Sequence, residues 1–233
     1  MITLYTLAYN EEVKIQFMID FYKKRFPNCH FIIYDNYSTD NTHKIIENNS
    51  CEIRMFDSNN QIDDIQLKDL KNNCWKDSKT DWVIVCDVDE MLDITEQDLI
   101  NEEKLETTII KSEGYNMVNM ENNYDLSSII YGIPDHSYDK LYMFNKKYIR
   151  DINYVCGAHT ASPIGTIKLS FKTYRAYHYT FIHPDLLVTR YKWTAKRLSE
   201  NNIKYNMGTY HLDSEEKIRE KFEAKRLEAN KIL

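Results

Sequence analysis

Glycine and proline are scarce, at 5 and 4 of 233 residues. Collagen-like and low-complexity classes are excluded on that ground. The first apolar run is followed by Ala8-Tyr9-Asn10-Glu11, with no glycine. A glycine-rich loop is needed there by methyltransferases and by sugar-nucleotide pyrophosphorylases, which hold a triphosphate; both are disfavoured. No stretch of about 18 apolar residues exists, so no segment is expected to span a membrane. The opening MITLYTLAYNEE turns acidic too soon for a signal peptide. An excess of positive charge is also missing: the net charge is −6. No global field therefore favours nucleic acid or anionic lipid, and a phosphate-bearing partner must be held locally, by a few basic groups or a cation. Five cysteines lie scattered without a CxxC pair or zinc spacing. They read as reduced thiols, which points to a cytoplasmic protein.

What is present is ordinary globular composition, 42% hydrophobic and 28% charged, in a chain long enough to bury a real core. The first half alternates two patterns. Short apolar runs at Ile2–Leu7, Phe31–Tyr34, Ile53–Phe56 and Trp82–Cys86 predict strands. Between them, helical spacing predicts helices over Glu12–Tyr22, from a cap at Ser38, Thr39 or Asp40 through Asn48, and over Ile65–Trp75. Strands joined by helices imply an α/β fold with a mainly parallel sheet and helices on both faces. The second half is irregular. Strands are expected at Ile109–Ile110, Tyr115–Met120 and Leu141–Phe144, and helices at Pro184–Asn201 and Ser214–Lys231, the latter capped by Asp213 or Ser214. With no linker or repeat, one domain is expected: 1–93 nucleotide-like, 94–211 acceptor-like, 212–233 a terminal helix.

In such a sheet ligands bind beyond the carboxyl ends of the strands. Three polar stretches fall there. TDWVIVCDVDEML drives a buried strand into Asp87, Asp89 and Glu90. If the strand continues, Asp87 and Asp89 point the same way and call for a cation between them. Oxygen ligands of this kind suit Mg²⁺ or Mn²⁺; a solvated turn is the alternative. YNEE (Tyr9–Glu12) opens the first helix, where acids suit the helix dipole. DNYSTDNT (Asp35–Thr42) offers Asp35 to a base or ribose, or serves as turn and cap. Arg190, Lys192, Lys196 and Arg197 are suited to a diphosphate or anionic acceptor, or to a solvated helix face. The last helix reads as a salt-bridged surface helix.

Together the three stretches resemble the family 2 glycosyltransferases, which have the GT-A fold. NNQIDD, LKNNCWK, YDKLYMF, CGAH and YHY resemble a narrower subgroup of short viral and bacterial enzymes. The likeness is densest over residues 1–93. It implies a nucleotide-sugar donor, with UDP as its nucleotide, a divalent cation, and inverting transfer to a glycan or other hydroxyl acceptor. Leu7, Ala8, Tyr9 and Asn10 would hold the base and Asp35 the base or ribose. Lys71, Asn72, Asp87 and Val88 would lie against the donor. Asp89 would ligate the cation, with Asp87 nearby and Glu90 beside them. His178 would be a further ligand, which favours Mn²⁺ over Mg²⁺, and His159 a second active-site histidine. On this basis Asp89→Ala is expected to abolish transfer while sparing the fold. A non-catalytic carbohydrate-binding module is the alternative, and the intact acids argue against it.

Inversion needs a carboxylate on the acceptor side. Asp125, Asp135 and Asp139 are loop candidates, while Glu121 falls near a strand. Asp135 and Asp139 rank ahead of Asp125. Asp139 has Lys140 beside it, which would lower its pKa.

Overall fold

The computed structural model describes residues 1–121 and 123–233. Strands β1 (Ile2–Ala8), β2 (His30–Asp35), β3 (Glu52–Met55) and β4 (Trp82–Val85) are parallel, in the order β3-β2-β1-β4. Helices α1 (Ile15–Arg25), α2 (Thr42–Asn48) and α3 (Asp64–Asn73) connect them. Their continuous apolar runs follow from cover on both faces: Leu4, Ile33 and Ile84 face α1, whereas Tyr5, Ile32, Val83 and Val85 pack with Trp75 and Phe144 on the other side. The order switches direction at β1, whose neighbours are β2 and β4. That opens a crevice at the carboxyl ends of these strands.

The second half extends the sheet beyond β4. β8 (Met143–Asn145) pairs antiparallel with β4, and β6 (Ile109–Val118) continues past it to β7 (Tyr131–Pro134) and the terminal β12 (Asn230–Lys231). The two short strands expected around residues 109–120 are one, β6. It pairs in parallel with β11 (Leu169–Phe181), a long strand that also carries β5 (Glu90–Leu92). β9 (Ile149–Asp151) and β10 (Ile164–Gly165) form a separate ribbon. Two other helices differ from those the sequence predicts. α1 begins at Ile15 without a side-chain cap, and its first turn carries no acid. The predicted Pro184–Asn201 helix is two, α5 (Pro184–Ala195) and α6 (Glu200–Lys204), because Leu198 leaves helix geometry to bridge Ile62. The final helix α7 (Glu215–Glu228) is capped by Ser214. No helix among the described residues is long and apolar enough to cross a membrane.

α4 (Glu96–Lys104) is fastened to β11 by Glu102, which is 2% exposed. Its carboxylate accepts from Thr107 Oγ1 (2.8 Å), Tyr174 OH (3.0 Å) and the amides of Phe171 (3.1 Å) and Lys172 (3.3 Å). Removing it leaves the buried hydroxyls of Thr107 and Tyr174 without their acceptor. Glu102→Ala should cost about 3 kcal/mol in urea unfolding; a cost under about 0.5 kcal/mol would mean that water replaces the carboxylate.

Candidate active site

A cleft of about 700 Å³ lies at the carboxyl ends of β1, β2 and β4, closed on the far side by α5 and residues 207–211. Leu7, Ala8 and Tyr9 line it at the end of β1, Asn36 after β2, and Asp87, Val88, Asp89 and Glu90 after β4. Two loops at its rim zip together. Asn10, in the left-handed region at φ 54°, donates its amide to Ser38 Oγ (3.0 Å), and its side chain accepts from Thr39 N (2.8 Å). Glu11 N donates to Thr42 Oγ1 (2.7 Å), and Glu12 accepts from the Asn41 side chain (2.8 Å). YNEE thus clamps the loop after β2 and does not cap α1.

The DVDE turn is built differently from the sequence expectation. β4 ends at Val85, and Glu90 Oε2 accepts from the Asp87 amide (3.0 Å), which bends the chain. Asp87 and Asp89 do not share one partner, since each carboxylate has its own cations. Asp87 meets Lys71 Nζ at 2.7 Å and Lys140 Nζ at 3.9 Å. Asp89 Oδ2 meets Lys14 Nζ at 3.0 Å and Arg190 Nη1 at 2.5 Å. Burial pushes both carboxyls up, but these cations outweigh it: Asp87 is held below the usual range and Asp89 well below it. Glu90 meets Lys140 Nζ at 2.5 Å, yet burial and the neighbouring Asp87 leave its carboxyl raised. Of these cations the sequence singles out only Lys71 and, as one of two alternatives for its helix, Arg190. Lys140 was legible as a lysine inside the apolar YDKLYMF run, and Lys14 as the i+3 partner of Glu11, at 2.8 Å.

His178 stands opposite Asp89, with Nε2 3.8 Å from Oδ1. Burial drives its pKa down to about 3 against the pull of Asp89, so the ring is neutral. Tyr138 stacks on it, centroids 3.9 Å apart. His159 sits at the exposed rim and reaches Ser137 O at 2.7 Å. Among the described residues no group of three His, Cys, Asp or Glu converges on one point. The protein donors suited to a cation are therefore Asp89 and the neutral His178, a carboxylate and an imidazole; Asp87 is paired with Lys71.

Several expected residues lie elsewhere. Asp35 is buried and does not line the cleft; it accepts from Ser38 Oγ (2.6 Å) and faces His43 Nδ1 (3.2 Å). Asn72 braces another chain segment, bonding both the carbonyl (3.0 Å) and amide (2.7 Å) of Tyr154. Asp125 caps a short turn, accepting from Ser127 N (2.9 Å) and Oγ (2.6 Å). Asp139 folds back against β6, accepting from Gly114 N (2.7 Å) and pairing with His136 (2.9 Å). Neither Asp125 nor Asp139 lines the cleft, because local donors hold each in a turn. Asp135 does line it, but Ser137 N (3.0 Å), Ser137 Oγ (2.5 Å) and Asn116 Nδ2 (2.6 Å) hold its carboxylate. Burial raises its pKa, and these donors more than reverse that.

At the other end of the cleft Arg197, 6% exposed, lies 3.3 Å from the Tyr9 ring centroid. Trp193 meets Tyr9 edge to face at 5.3 Å. Arg197 donates to Asn60 O (3.2 Å), and the Asn36 amide, oriented by its neighbours, accepts from it at 3.0 Å. Among the described residues it has no carboxylate partner.

No family model matches the sequence, and no curated protein matches it. Solved structures do. The S. aureus TarS fragment 1–349 in complex with UDP superposes with a TM-score of 0.51 at 13% identity, over 91% of this chain and 70% of that one. The fold is that of the GT-A glycosyltransferases. A longer TarS chain gives 0.48 at 13% identity, over 91% of this chain, which spans only 42% of it. Glucosyl-3-phosphoglycerate synthase from Mycobacterium tuberculosis, solved with Mn²⁺, UDP and glucosyl-3-phosphoglycerate, gives 0.33 at 17% identity, over 49% of this chain and 44% of that one. Within the GT-A fold, the crevice at the switch point of the sheet and the DVDE turn occupy the same end of the molecule.

Proposed function

We propose that the protein is a glycosyltransferase that moves a sugar from a nucleotide-sugar, with UDP as the nucleotide, to a hydroxyl acceptor. The observation that carries this reading is the cleft itself. An aromatic and cationic end (Tyr9, Trp193, Arg197) adjoins a charged end (Asp87, Asp89, Lys71, Arg190) at the strand termini. The first suits a planar base and the second a diphosphate beside a cation. Leu7, Ala8, Tyr9 and Val88 form the wall for the base. Asp35 supports that wall from behind by holding the Ser38 loop, which in turn binds Asn10.

Arg190 presents a planar fork of donors at the cleft wall, suited to phosphate oxygens. Lys71 fixes Asp87, whose carboxylate is one-third exposed toward the cleft and free to accept from a ribose. Asp89 and His178 would hold a divalent cation, Mn²⁺ suiting the imidazole. When bound, the cation neutralises charge on the departing diphosphate. Asp139 and Asp125 do not line the cleft, and local donors already hold both carboxylates, which disfavours them as acceptors of the proton. Asp135 is depleted as a base by its three donors.

The deciding experiment is thermal unfolding with a panel of nucleoside diphosphate sugars and Mn²⁺, followed by release of the nucleotide from whichever binds. A ligand at 100 times its Kd adds about 2.7 kcal/mol. UDP-sugars should raise Tm and be turned over. A flat panel overturns the reading. One consequence is specific to the base end. Arg197→Ala removes a desolvated cation stacked on Tyr9, a contact worth about 2 kcal/mol. Donor KM should rise at least roughly tenfold with little change in kcat. Unaltered KM would place the base elsewhere.

A further inference from the structure

His178 has two ring nitrogens, and the hydrogen bond at one decides what the other can do. Its chemistry is dictated from two residues away. The Asp135 carboxylate can only accept. Ser137 N and Oγ occupy Oδ1, and Oδ2 lies 2.6 Å from Asn116 Nδ2. The Asn116 amide is therefore fixed with its NH₂ toward Asp135 and its oxygen toward His178. That oxygen lies 2.7 Å from His178 Nδ1. An oxygen acceptor at this distance requires a proton on Nδ1. Nε2 faces Asp89 Oδ1 at 3.8 Å, too far for a hydrogen bond, so a second proton would find no acceptor there and Nε2 is left with its lone pair.

The placement is rigid. Asn116 and His178 are paired in register on β6 and β11, and each is 8% exposed. The turn carrying Asp135 is pressed onto β6 at Gly114, where a Cβ would come within 2.6 Å of Asp135 O. Asp135 N in turn donates to Gly114 O (2.9 Å). Thr180 Oγ1 lies 2.8 Å from Nε2 and 3.2 Å from Nδ1, too near both to align with either in the ring plane. It does not compete for the Nε2 lone pair.

We propose that Asp135 and Asn116 are positioning residues that fix the tautomer of His178, with the proton on Nδ1 and a bare Nε2 directed at Asp89. Two groups with no lone-pair conflict of their own thereby create one between Nε2 and the Asp89 carboxylate, which a divalent cation resolves. The link to the cation rests on the function proposed above; the tautomer does not. Partners of this kind, one shell removed from a metal ligand, change metal affinity by about 10–100-fold.

The test is ring-¹⁵N NMR of histidine-labelled protein without metal, with the His178 signals assigned from a His178→Gln variant. The parent should show a protonated Nδ1 and an unprotonated Nε2. Asp135→Asn keeps the shape but offers an NH₂ to Asn116, so the Asn116 amide turns over and the proton moves to Nε2. Mn²⁺ affinity, read by electron paramagnetic resonance, should fall about 10–100-fold. Ser137→Ala removes another partner of Asp135 and leaves the relay alone, so the tautomer should persist. Asn116→Leu should release it. A parent already protonated at Nε2, or an Asp135→Asn variant still protonated at Nδ1, overturns the proposal. So does an Asp135→Asn variant that loses transfer with tautomer and Mn²⁺ affinity unchanged, since Asp135 would then be the proton acceptor. A parent that binds no Mn²⁺ strikes the cation reading alone, and the spectra still decide the relay.

Discussion

Asp89→Asn should abolish sugar transfer and also cost about 3 kcal/mol of folding stability at pH 7. The second half of this result reverses the expectation from sequence. An acidic cluster at a strand end reads as self-repelling, so that losing one charge would spare or even help the fold. In the structure Asp89 is 2% exposed and holds Lys14 and Arg190 together. Removing one partner of a buried ion pair costs about 3–5 kcal/mol, because the other charge is left without compensation. Two facts favour the lower end. Lys14 keeps Glu11 at 2.8 Å, and the Arg190 side chain is one-third exposed, so water screens it. The pH dependence follows from a folded pKa that lies well below the unfolded value of about 4. The stabilisation is present above pH 4 and disappears as the pH falls through the folded value. Urea melts of parent and variant should differ at pH 7 and draw together in acid. Equal stability at pH 7 would show that Lys14 and Arg190 are solvated without Asp89.

The same residue shows what was legible in the sequence. Four apolar runs, each ending in a polar stretch, suffice to place the strands and the end of the sheet where ligands bind. Pattern and topology act there through local rules. The direction of the side chains was not legible, because extrapolating period-two alternation past Cys86 assumes a strand. Glu90 takes the Asp87 amide and turns the chain instead. Asp35 looked free at a strand end, but Ser38, three residues on, satisfies it. The break between α5 and α6 depends on a bridge from Leu198 to Ile62, a partner far away in the chain. β11 is half exposed and half buried on a single strand. Its LSFKTYRAYHYTF therefore shows no one period, and only its YHY end stood out. Arg197 looked like one of several basic residues on a helix face, since nothing in the sequence reveals that Tyr9 lies beneath it.

Lys140→Met should be about as damaging to the fold as any change in the cleft, at about 3–5 kcal/mol. Lys140 and Glu90 are paired at 2.5 Å with side chains 5% and 3% exposed, so neither has water to turn to. Glu90 also shapes the DVDE turn through the Asp87 amide. The cost should depend on pH. Burial and Asp87 already raise the Glu90 carboxyl, and loss of Lys140 raises it further. A carboxyl whose folded pKa exceeds its unfolded value favours the fold below the unfolded value, near 4.3, and loses that contribution as the pH rises through the folded value. The variant should therefore be penalised less at pH 5 than at pH 8. Adding Glu90→Gln separates charge from shape. A glutamine oxygen still accepts from the Asp87 amide but carries no charge to strand. Lys140→Met/Glu90→Gln should regain most of the lost stability and lose the pH dependence, since replacing both partners of a buried pair is often close to neutral. Guanidinium melts of the two single variants and the double at both pH values decide the matter. If the double variant is no more stable than Lys140→Met, and neither responds to pH, then Lys140 acts through its 3.2 Å bond to the Gly157 carbonyl and not through Glu90.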